Sequence, residues 1–210
     1  MSYKREDFEI MAPVGSYESL MAAIQAGANS VYFGIDKLNM RSRSASNFST
    51  EDLRKIVKIC QENNVKSYLT VNTVIYNDDI ELMHEIVDTA KEVNVSAIIA
   101  ADVAVMLYAF EKGVEVHLST QLNIANVEAL KFYSRYADVV VLARECNMEQ
   151  VAQIWKAIQD EKICGPNGEL IKIEMFCHGA LCMAVSGKCY LSLHELNASA
   201  NRGACYQVCR

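Results

Sequence analysis

A repeated alternation of short apolar runs and longer segments of helical period most constrains the fold of this chain. From Glu9 onward, the apolar and β-branched runs predict seven strands, at 9–14, 30–35, 66–72, 95–101, 114–119, 138–143 and 171–177. The segments between them predict six helices, at 16–27, 50–63, 79–93, 102–112, 124–135 and 147–160. This alternation is typical of βα units that build a parallel sheet.

The spacing of these units favours an α/β barrel of the TIM type. The predicted strand starts, from 9 to 171, have a mean repeat of 27 residues, and no Gly-x-Gly-x-x-Gly or Walker-type loop indicates a nucleotide-binding sheet. A TIM barrel has eight strands and typically about 250 residues. Because this chain has 210 residues and seven predicted strands, we expect an incomplete barrel, either natively open or part of a longer protein that continues beyond Arg210.

The composition of the chain indicates a single domain. No Pro/Gly/Ser linker divides residues 1–210, so we expect one catalytic domain that ends in a cysteine-rich segment at 177–210.

Charge and hydropathy limit the partners and the location that we expect. The net charge of −6 argues against indiscriminate nucleic-acid binding, although a local basic patch stays possible. No apolar run follows the first residues, and the most apolar stretch, 95–110, is shorter than a membrane helix. We expect a cytoplasmic protein without a membrane span.

Polar residues near the ends of the predicted strands are the candidates for chemistry, because a parallel barrel carries its active site at the carboxyl ends of its strands. The catalytic candidates are His178, Gln121 and Glu145. The candidates for substrate binding are Arg41, Arg43, Arg144 and Asn72, in which the guanidinium groups suit a carboxylate or a phosphate. Solvated loop positions are the alternative for each of them, and Ser16 and Asp102 are expected to be helix caps.

Four thiols near the end of the chain form the sharpest chemical signal. They are Cys182, Cys189, Cys205 and Cys209, in a stretch that also contains three glycines. Thiolates bind zinc or iron–sulfur clusters, but the spacing is neither that of a zinc ribbon nor that of a ferredoxin. The alternative is that they are buried apolar thiols. The other four cysteines, Cys60, Cys146, Cys164 and Cys177, are expected in the core.

Two other catalytic arrangements have weaker support. Cys177 beside His178 could form a nucleophile and base, but adjacent residues of a strand point to opposite faces. His194-Glu195 begins a metallopeptidase motif, but the second histidine is missing. No recognisable nucleophile, base and oxyanion arrangement is therefore visible in the sequence.

Two segments near the end of the chain are the most specific, Glu-Met-Phe-Cys-His-Gly-Ala-Leu-Cys at 174–182 and Gly-Lys-Cys-Tyr-Leu-Ser at 187–192. They resemble the collagenase-like peptidase family of unknown catalytic type, whose members include RNA hydroxylation proteins. Further segments similar to this family lie at 12–16, 27–34, 117–123, 142–145 and 201–210. The resemblance therefore covers nearly the whole chain.

The resemblance implies a TIM-type catalytic domain with one of several activities. Some members are collagenase-like proteases, and others are oxygen-independent hydroxylation proteins that act on the tRNA wobble uridine with prephenate, on a ribosomal RNA cytidine, or in ubiquinone synthesis. By similarity, Cys182, Cys189 and Cys205 would bind a four-iron iron–sulfur cluster. Cys209 is either the fourth ligand or not a ligand. The implied partners are tRNA, a small acidic metabolite such as prephenate, and a second copy or a paralogue of the family.

The residues favour hydroxylation over proteolysis, since the chain offers clustered thiols and no evident nucleophile with its base. Prephenate-linked hydroxylation of the tRNA wobble uridine is therefore the first hypothesis, with Gln121 and His178 orienting the substrate and the three arginines binding the acid. A collagenase-like peptidase is the second. The third is a scaffold without enzymatic activity that binds a cluster or a small acid.

Overall fold

In the computed structural model, residues 3–35, 37–40, 42, 48–179 and 181–209 are described, and they form an α/β structure. The strands are β1 Met11–Pro13, β2 Ser30–Gly34, β3 Lys66–Val71, β4 Ala97–Ala100, β5 Val116–Leu118, β6 Val139–Val141 and β7 Lys172–Glu174. The helices are α1 Tyr17–Gln25, α2 Thr50–Glu62, α3 Ile80–Glu92, α4 Val103–Glu111, α5 Val127–Tyr133, α6 Met148–Glu161 and α7 Leu191–Leu196.

The seven strands form one parallel sheet in which spatial order follows chain order from β1 to β7. The register aligns Tyr68 with Ala97 and Val141 with Glu174. Within the described chain, β1 and β7 pair with one neighbour each, so the sheet is open at both edges. The prediction of an incomplete TIM-type barrel is confirmed. Each predicted strand and helix overlaps an observed one, whereas α7 was not predicted.

The main core lies between the convex face of the sheet and the helices. Helix α2 shows why this packing forms, because its buried residues Leu53, Ile56, Val57 and Cys60 recur at helical spacing along one face. A smaller cluster on the concave face consists of Tyr68, Ala97 and Ile99, since successive strand residues point to opposite faces. The sheet is therefore apolar on both faces near its centre, as expected for a barrel wall.

Side-chain caps fix the starts of several helices at the carboxyl end of the sheet. Ser16 and Asp102 cap α1 and α4, as predicted. At the start of α6, the Asn147 side chain accepts a hydrogen bond from Gln150 N, and the Gln150 side chain accepts one from Asn147 N, both at 2.9 Å. This reciprocal pair is a capping box.

Loss of the α6 cap is expected to have a moderate effect on stability. Asn147→Ala should lower the free energy of unfolding by about 1 kcal/mol, because one helix N–H loses its partner. Urea denaturation followed by circular dichroism measures the change. Gln153→Ala, at an exposed position of the same helix, should change stability by less than about 0.5 kcal/mol, and an equal loss in both variants would contradict the role of the cap.

The end of β7 differs from the prediction. The strand ends at Glu174 instead of continuing to residue 177, so Cys177 and His178 lie in a loop and are exposed. An edge strand that pairs on one side has fewer backbone hydrogen bonds to extend it. The expectation that Cys177 and Cys164 belong to the core is wrong, since both are exposed, whereas Cys60 is buried and Cys146 packs against the core.

Among the residues that the structure describes, none of the helices combines the length and the apolar character that crossing a bilayer requires.

Candidate functional site

A cavity of about 100 Å³ lies at the carboxyl ends of β3, β4 and β5, where barrel enzymes carry their active sites. Its polar and glycine lining consists of Asn72, Thr73, Asp102, Gln121, Gly187 and Asn201. A larger cavity of about 240 Å³ lies at the opposite end of the sheet, beside Ser96 and Glu115. Position therefore makes the smaller cavity the candidate site.

Two residues predicted from the sequence, Asn72 and Gln121, meet in this cavity. Asn72 directly follows β3, and its Nδ2 lies 3.5 Å from both Ser119 Oγ and Gln121 Oε1. Ser119 Oγ also donates to Gln121 Oε1, while Asn72 Oδ1 accepts from Met40 N at 3.1 Å. These contacts join the ends of β3 and β5 and hold the two amides in fixed orientations.

Two further polar residues in the cavity were not predicted as site residues. Thr73 is 1% exposed, and within the described chain Thr73 Oγ1 and Asn201 Oδ1 are buried without a hydrogen-bond partner. A buried polar atom without a partner costs about 1–3 kcal/mol, so these two atoms are unfavourable features of the packing beside the cavity. Thr73 could have been predicted from the sequence, because it follows Asn72 at the end of β3. Nothing in the local sequence pattern indicates that Asn201 lies beside β3.

Arg202, in the cysteine-rich segment, contacts the loop after β3. Its Nη1 donates to Val74 O at 2.7 Å and to Asp79 Oδ2, and its guanidinium carbon lies 4.1 Å from the centre of the Tyr76 ring. Val74 N in turn donates to Asn201 O at 3.2 Å. The ion pair with Arg202 is the main reason that the pKa of Asp79 is lowered.

Further contacts hold residues 186–203, here called the roof segment, over the strand ends. Asn123 Nδ2 donates to Ser186 O at 2.9 Å, and Ser42 Oγ donates to Gly203 O at 3.2 Å. Gly187 lies so close to Gln121 that an added Cβ would be 2.8 Å from the Gln121 Cβ. The cavity therefore lies between the strand ends and the roof segment.

Asp102 contributes the carboxylate of the cavity. Its Oδ1 accepts from Ala104 N at 2.9 Å as the cap of α4, and its Oδ2 accepts from Ile75 N at 3.0 Å. Each carboxylate oxygen has a second acceptor position. Asp102 can therefore serve as a helix cap and still accept a hydrogen bond from a ligand.

The other predicted site residues lie apart from this cavity or outside the described residues. Arg144 is half-buried, with its guanidinium carbon 4.0 Å from the centre of the Phe176 ring. Glu145 and His178 are exposed, and none of these three predicted residues lines the cavity. Arg41 and Arg43 lie outside the described residues. The catalytic and anion-binding roles of these residues stay predictions.

The four predicted cluster ligands do not converge in this structure. Cys182 and Cys209 are exposed, and Cys189 and Cys205 are half-buried, all as free thiols. Over the described ranges, no group of three or more His, Cys, Asp or Glu side chains is arranged to hold a metal ion. The donor set as placed here does not fit a four-iron cluster, which needs four thiolates around one centre, so the ligand assignment stays a prediction.

Comparison with known proteins places the chain among a defined set of relatives. The model of a family described as Peptidase family U32 matches residues 15–210. A protein named collagenase from Porphyromonas gingivalis is 72% identical over 97% of this chain and 49% of its own length. A tRNA hydroxylation protein of Bacillus subtilis is 34% identical over 96% of this chain and 46% of its own length. The chain thus spans about half the length of these curated relatives.

A solved structure supports the fold assignment. The structure of a U32 peptidase superposes with a TM-score of 0.61 at 12% identity, covering 83% of this chain and 94% of that chain. Because one fold supports many activities, this similarity shows the architecture alone.

Proposed function

This chain belongs to peptidase family U32, and from that membership we propose that the protein is a collagenase-like peptidase whose peptide substrate binds at the strand-end cavity. One observation carries the proposal. The chain is 72% identical over 97% of its length to a protein named collagenase, but 34% identical to a tRNA hydroxylation protein over a similar length. The sequence argument that placed hydroxylation first rests on a cluster held by four thiols, and that ligand assignment stays a prediction.

The chemistry of the cavity supports a peptide ligand. Asn72, Gln121 and Asn201 line it, and side-chain amides carry both donors and acceptors that match the N–H and C=O groups of a peptide. Among the described residues that line the cavity there is no lysine, arginine or histidine, which phosphate groups or a dicarboxylate would favour. The described part of the lining therefore suits a peptide ligand.

The same residues limit the role that this part of the protein can take in catalysis. In the described chain, no histidine ring hydrogen-bonds a serine, threonine or cysteine side chain. The rings of His117 and His194 lie beside glutamates, and that of His84 stacks on Tyr108. A nucleophile activated by a histidine base is therefore absent from the described residues. We assign the strand ends and the roof segment to binding and positioning of the substrate.

Cleavage of a fluorogenic collagen-derived peptide by the whole protein tests the proposal. Gln121→Ala should lower kcat/KM by about tenfold or more, because it removes an amide that faces the cavity. Gln153→Ala, at an exposed position of α6, is the matched control and should stay within about twofold. Absence of cleavage by the wild-type protein, with and without added divalent metal, would refute the proposal, and equal rates for both variants would refute this placement of the substrate.

RNA hydroxylation is the second candidate, favoured by the tRNA hydroxylation relative that matches 96% of the chain and by the four thiols between residues 182 and 209. Nucleoside mass spectrometry of tRNA from a deletion strain tests it, together with iron and sulfide analysis of anaerobically purified protein. Loss of a hydroxylated uridine, with iron present and no peptide cleavage, would replace the peptidase proposal. Unchanged tRNA would remove the second candidate.

A further inference from the structure

We propose that Asn123 is a positioning residue, which fixes Gln121 in the strand-end cavity by joining it to the roof segment. The inference rests on the proposed function for its consequence, since Gln121 is the residue that we place against the peptide substrate. Its geometry depends on two hydrogen bonds from one nitrogen atom. Asn123 Nδ2 donates to Gln121 O at 2.7 Å and to Ser186 O at 2.9 Å.

The orientation of the Asn123 amide follows from these two partners. Both partner atoms are backbone carbonyl oxygens, which accept hydrogen bonds and cannot donate them, so the NH2 group and not the amide oxygen faces them. An NH2 group carries two N–H bonds, and each has one partner here. One bond holds the turn that contains Gln121, and the other holds the start of the roof segment.

The backbone of Asn123 explains why asparagine suits this position. Its φ of +52° lies in the left-handed region, where asparagine is favoured over most other residues that have a Cβ. Asn123 N donates to Thr120 O at 3.0 Å and closes the turn that contains Gln121. The next residue, Ile124, accepts a hydrogen bond from Ala143 N at 2.8 Å. The turn is therefore anchored at the strand ends, and the side chain of Asn123 extends from it to the roof segment.

Three neighbours fix the position of Gln121. Its side-chain Oε1 lies 3.5 Å from Asn72 Nδ2, and its backbone oxygen accepts from Asn123. The third neighbour is Gly187, where φ is +73° and an added Cβ would lie 2.8 Å from Gln121 Cβ and 3.3 Å from Gln121 O. The backbone of the roof segment thus packs directly on Gln121. Because Ser186 precedes Gly187, its contact with Asn123 sets this close approach.

Replacement of Asn123 by glycine tests the inference, because glycine keeps the left-handed backbone and removes the amide. We expect Asn123→Gly to lower kcat/KM for the fluorogenic peptide about fivefold, since small displacements of a group that positions the substrate are costly. Asn64→Gly is the matched control, because Asn64 has a φ of +56° and is exposed. The control should stay within about twofold of the wild type, and equal losses in the two variants would overturn the inference.

The kinetic parameters distinguish positioning of Gln121 from a loss of folded protein. Asn123→Gly should raise KM about fivefold and leave kcat within about twofold, because Gln121 is assigned to binding. A smaller folded fraction would instead lower kcat and leave KM unchanged. In the Gln121→Ala background, Asn123→Gly should change KM by less than about twofold, since the side chain that it positions is gone. A loss in kcat alone, or the full loss in both backgrounds, would overturn the inference.

The NMR signals of the Gln121 side-chain amide in the whole protein provide a measurement that needs no cleavage. They are assigned by their absence in Gln121→Ala, and they should shift in Asn123→Gly and stay in place in Asn64→Gly. Unchanged signals in Asn123→Gly would overturn the inference, whether or not the protein cleaves peptides. A shift in a protein that cleaves no peptide would refute the peptidase and leave the positioning of Gln121 by Asn123 standing.

Discussion

Replacement of Glu174 by glutamine is expected to stabilise the protein by about 3 kcal/mol at pH 8 and to leave its stability nearly unchanged at pH 4. Burial and, second, the carboxylate of Glu9 raise the pKa of Glu174 to about 7 from an ordinary value of 4.5. Glutamine keeps the shape of the side chain and cannot ionise. The variant therefore isolates the cost of holding this carboxylate charged in the folded state.

The position of Glu174 explains why its charge is unfavourable. It ends the edge strand β7, and within the described chain it has no ion pair or hydrogen-bonded side chain. Glu9, which precedes β1 at the other edge, is already paired, because its carboxylate lies 2.6 Å from both Lys66 Nζ and Tyr68 Oη. Lys66 thus pairs with Glu9, and Glu174 has the negative charge of Glu9 nearby without a cation of its own in the described chain.

The sign of the pH dependence follows from the direction of the shift. A carboxyl group whose pKa is higher in the folded state binds its proton more tightly there than in the unfolded chain. Its contribution to stability is fully present below pH 4.5 and is lost as the pH rises through about 7. The stabilities of the wild-type protein and of Glu174→Gln should therefore diverge between these two values and run parallel above them.

Urea denaturation at intervals from pH 4 to pH 8 measures this divergence. Glu111→Gln, at an exposed position at the end of α4, serves as the matched control and should follow the wild-type curve within about 0.5 kcal/mol. A difference between Glu174→Gln and the wild type that does not vary with pH would contradict the argument. So would a loss of stability in that variant at pH 8.

The parts of the fold that depend on local pattern are predictable from the sequence. The apolar positions of α2 recur at helical spacing, so its bounds of Thr50–Glu62 lie within one residue of the predicted 50–63. The cap at Asn147 is visible because Gln150 follows it by three residues. The buried face of a helix and its capped end can both be predicted from residues that are close together in the sequence.

The parts of the site that depend on distant segments are not predictable in this way. Asn201 reaches the end of β3 through the Arg202 contact with Val74, which joins residues 128 positions apart. The environment of Glu174 is set partly by Glu9 at the opposite edge of the sheet. Asn72 and Gln121 were found because the barrel topology itself brings strand ends together, whereas no periodicity indicates where a loop-rich segment returns.

Replacement of Gly203 by alanine is expected to detach the end of the roof segment. The variant should make packing of this segment on the strand ends less favourable by about 3 kcal/mol. Gly203 has a φ of +88° and follows the turn Ala200–Arg202. An added Cβ would lie 2.7 Å from the backbone oxygen of Asn39 and in contact with Ser42 Oγ. A backbone oxygen cannot rotate away, so the close approach adds overpacking of about 1–3 kcal/mol to the strain of the left-handed conformation, about 1–2 kcal/mol.

Gly27→Ala provides the matched control, because Gly27 has a φ of +83° but nothing within 4 Å of the added Cβ. The free energy of unfolding of Gly27→Ala should fall by only about 1 kcal/mol, the strain of the left-handed conformation. Urea denaturation measures the global loss, and hydrogen exchange at Val74 N, which donates to Asn201 O, reports undocking of the roof segment. Faster exchange in Gly203→Ala than in Gly27→Ala is the expected result.

The two glycine variants also connect the roof segment to ligand binding. If the substrate site needs both Asn201 from the roof segment and Asp102 from the strand ends, then Gly203→Ala should lose peptide cleavage while Gly27→Ala retains it. Retained cleavage in Gly203→Ala, together with fast exchange at Val74, would mean that the strand ends alone form the site. Equal exchange and equal stability in both variants would mean that the contact with Asn39 and Ser42 does not hold the roof segment in place.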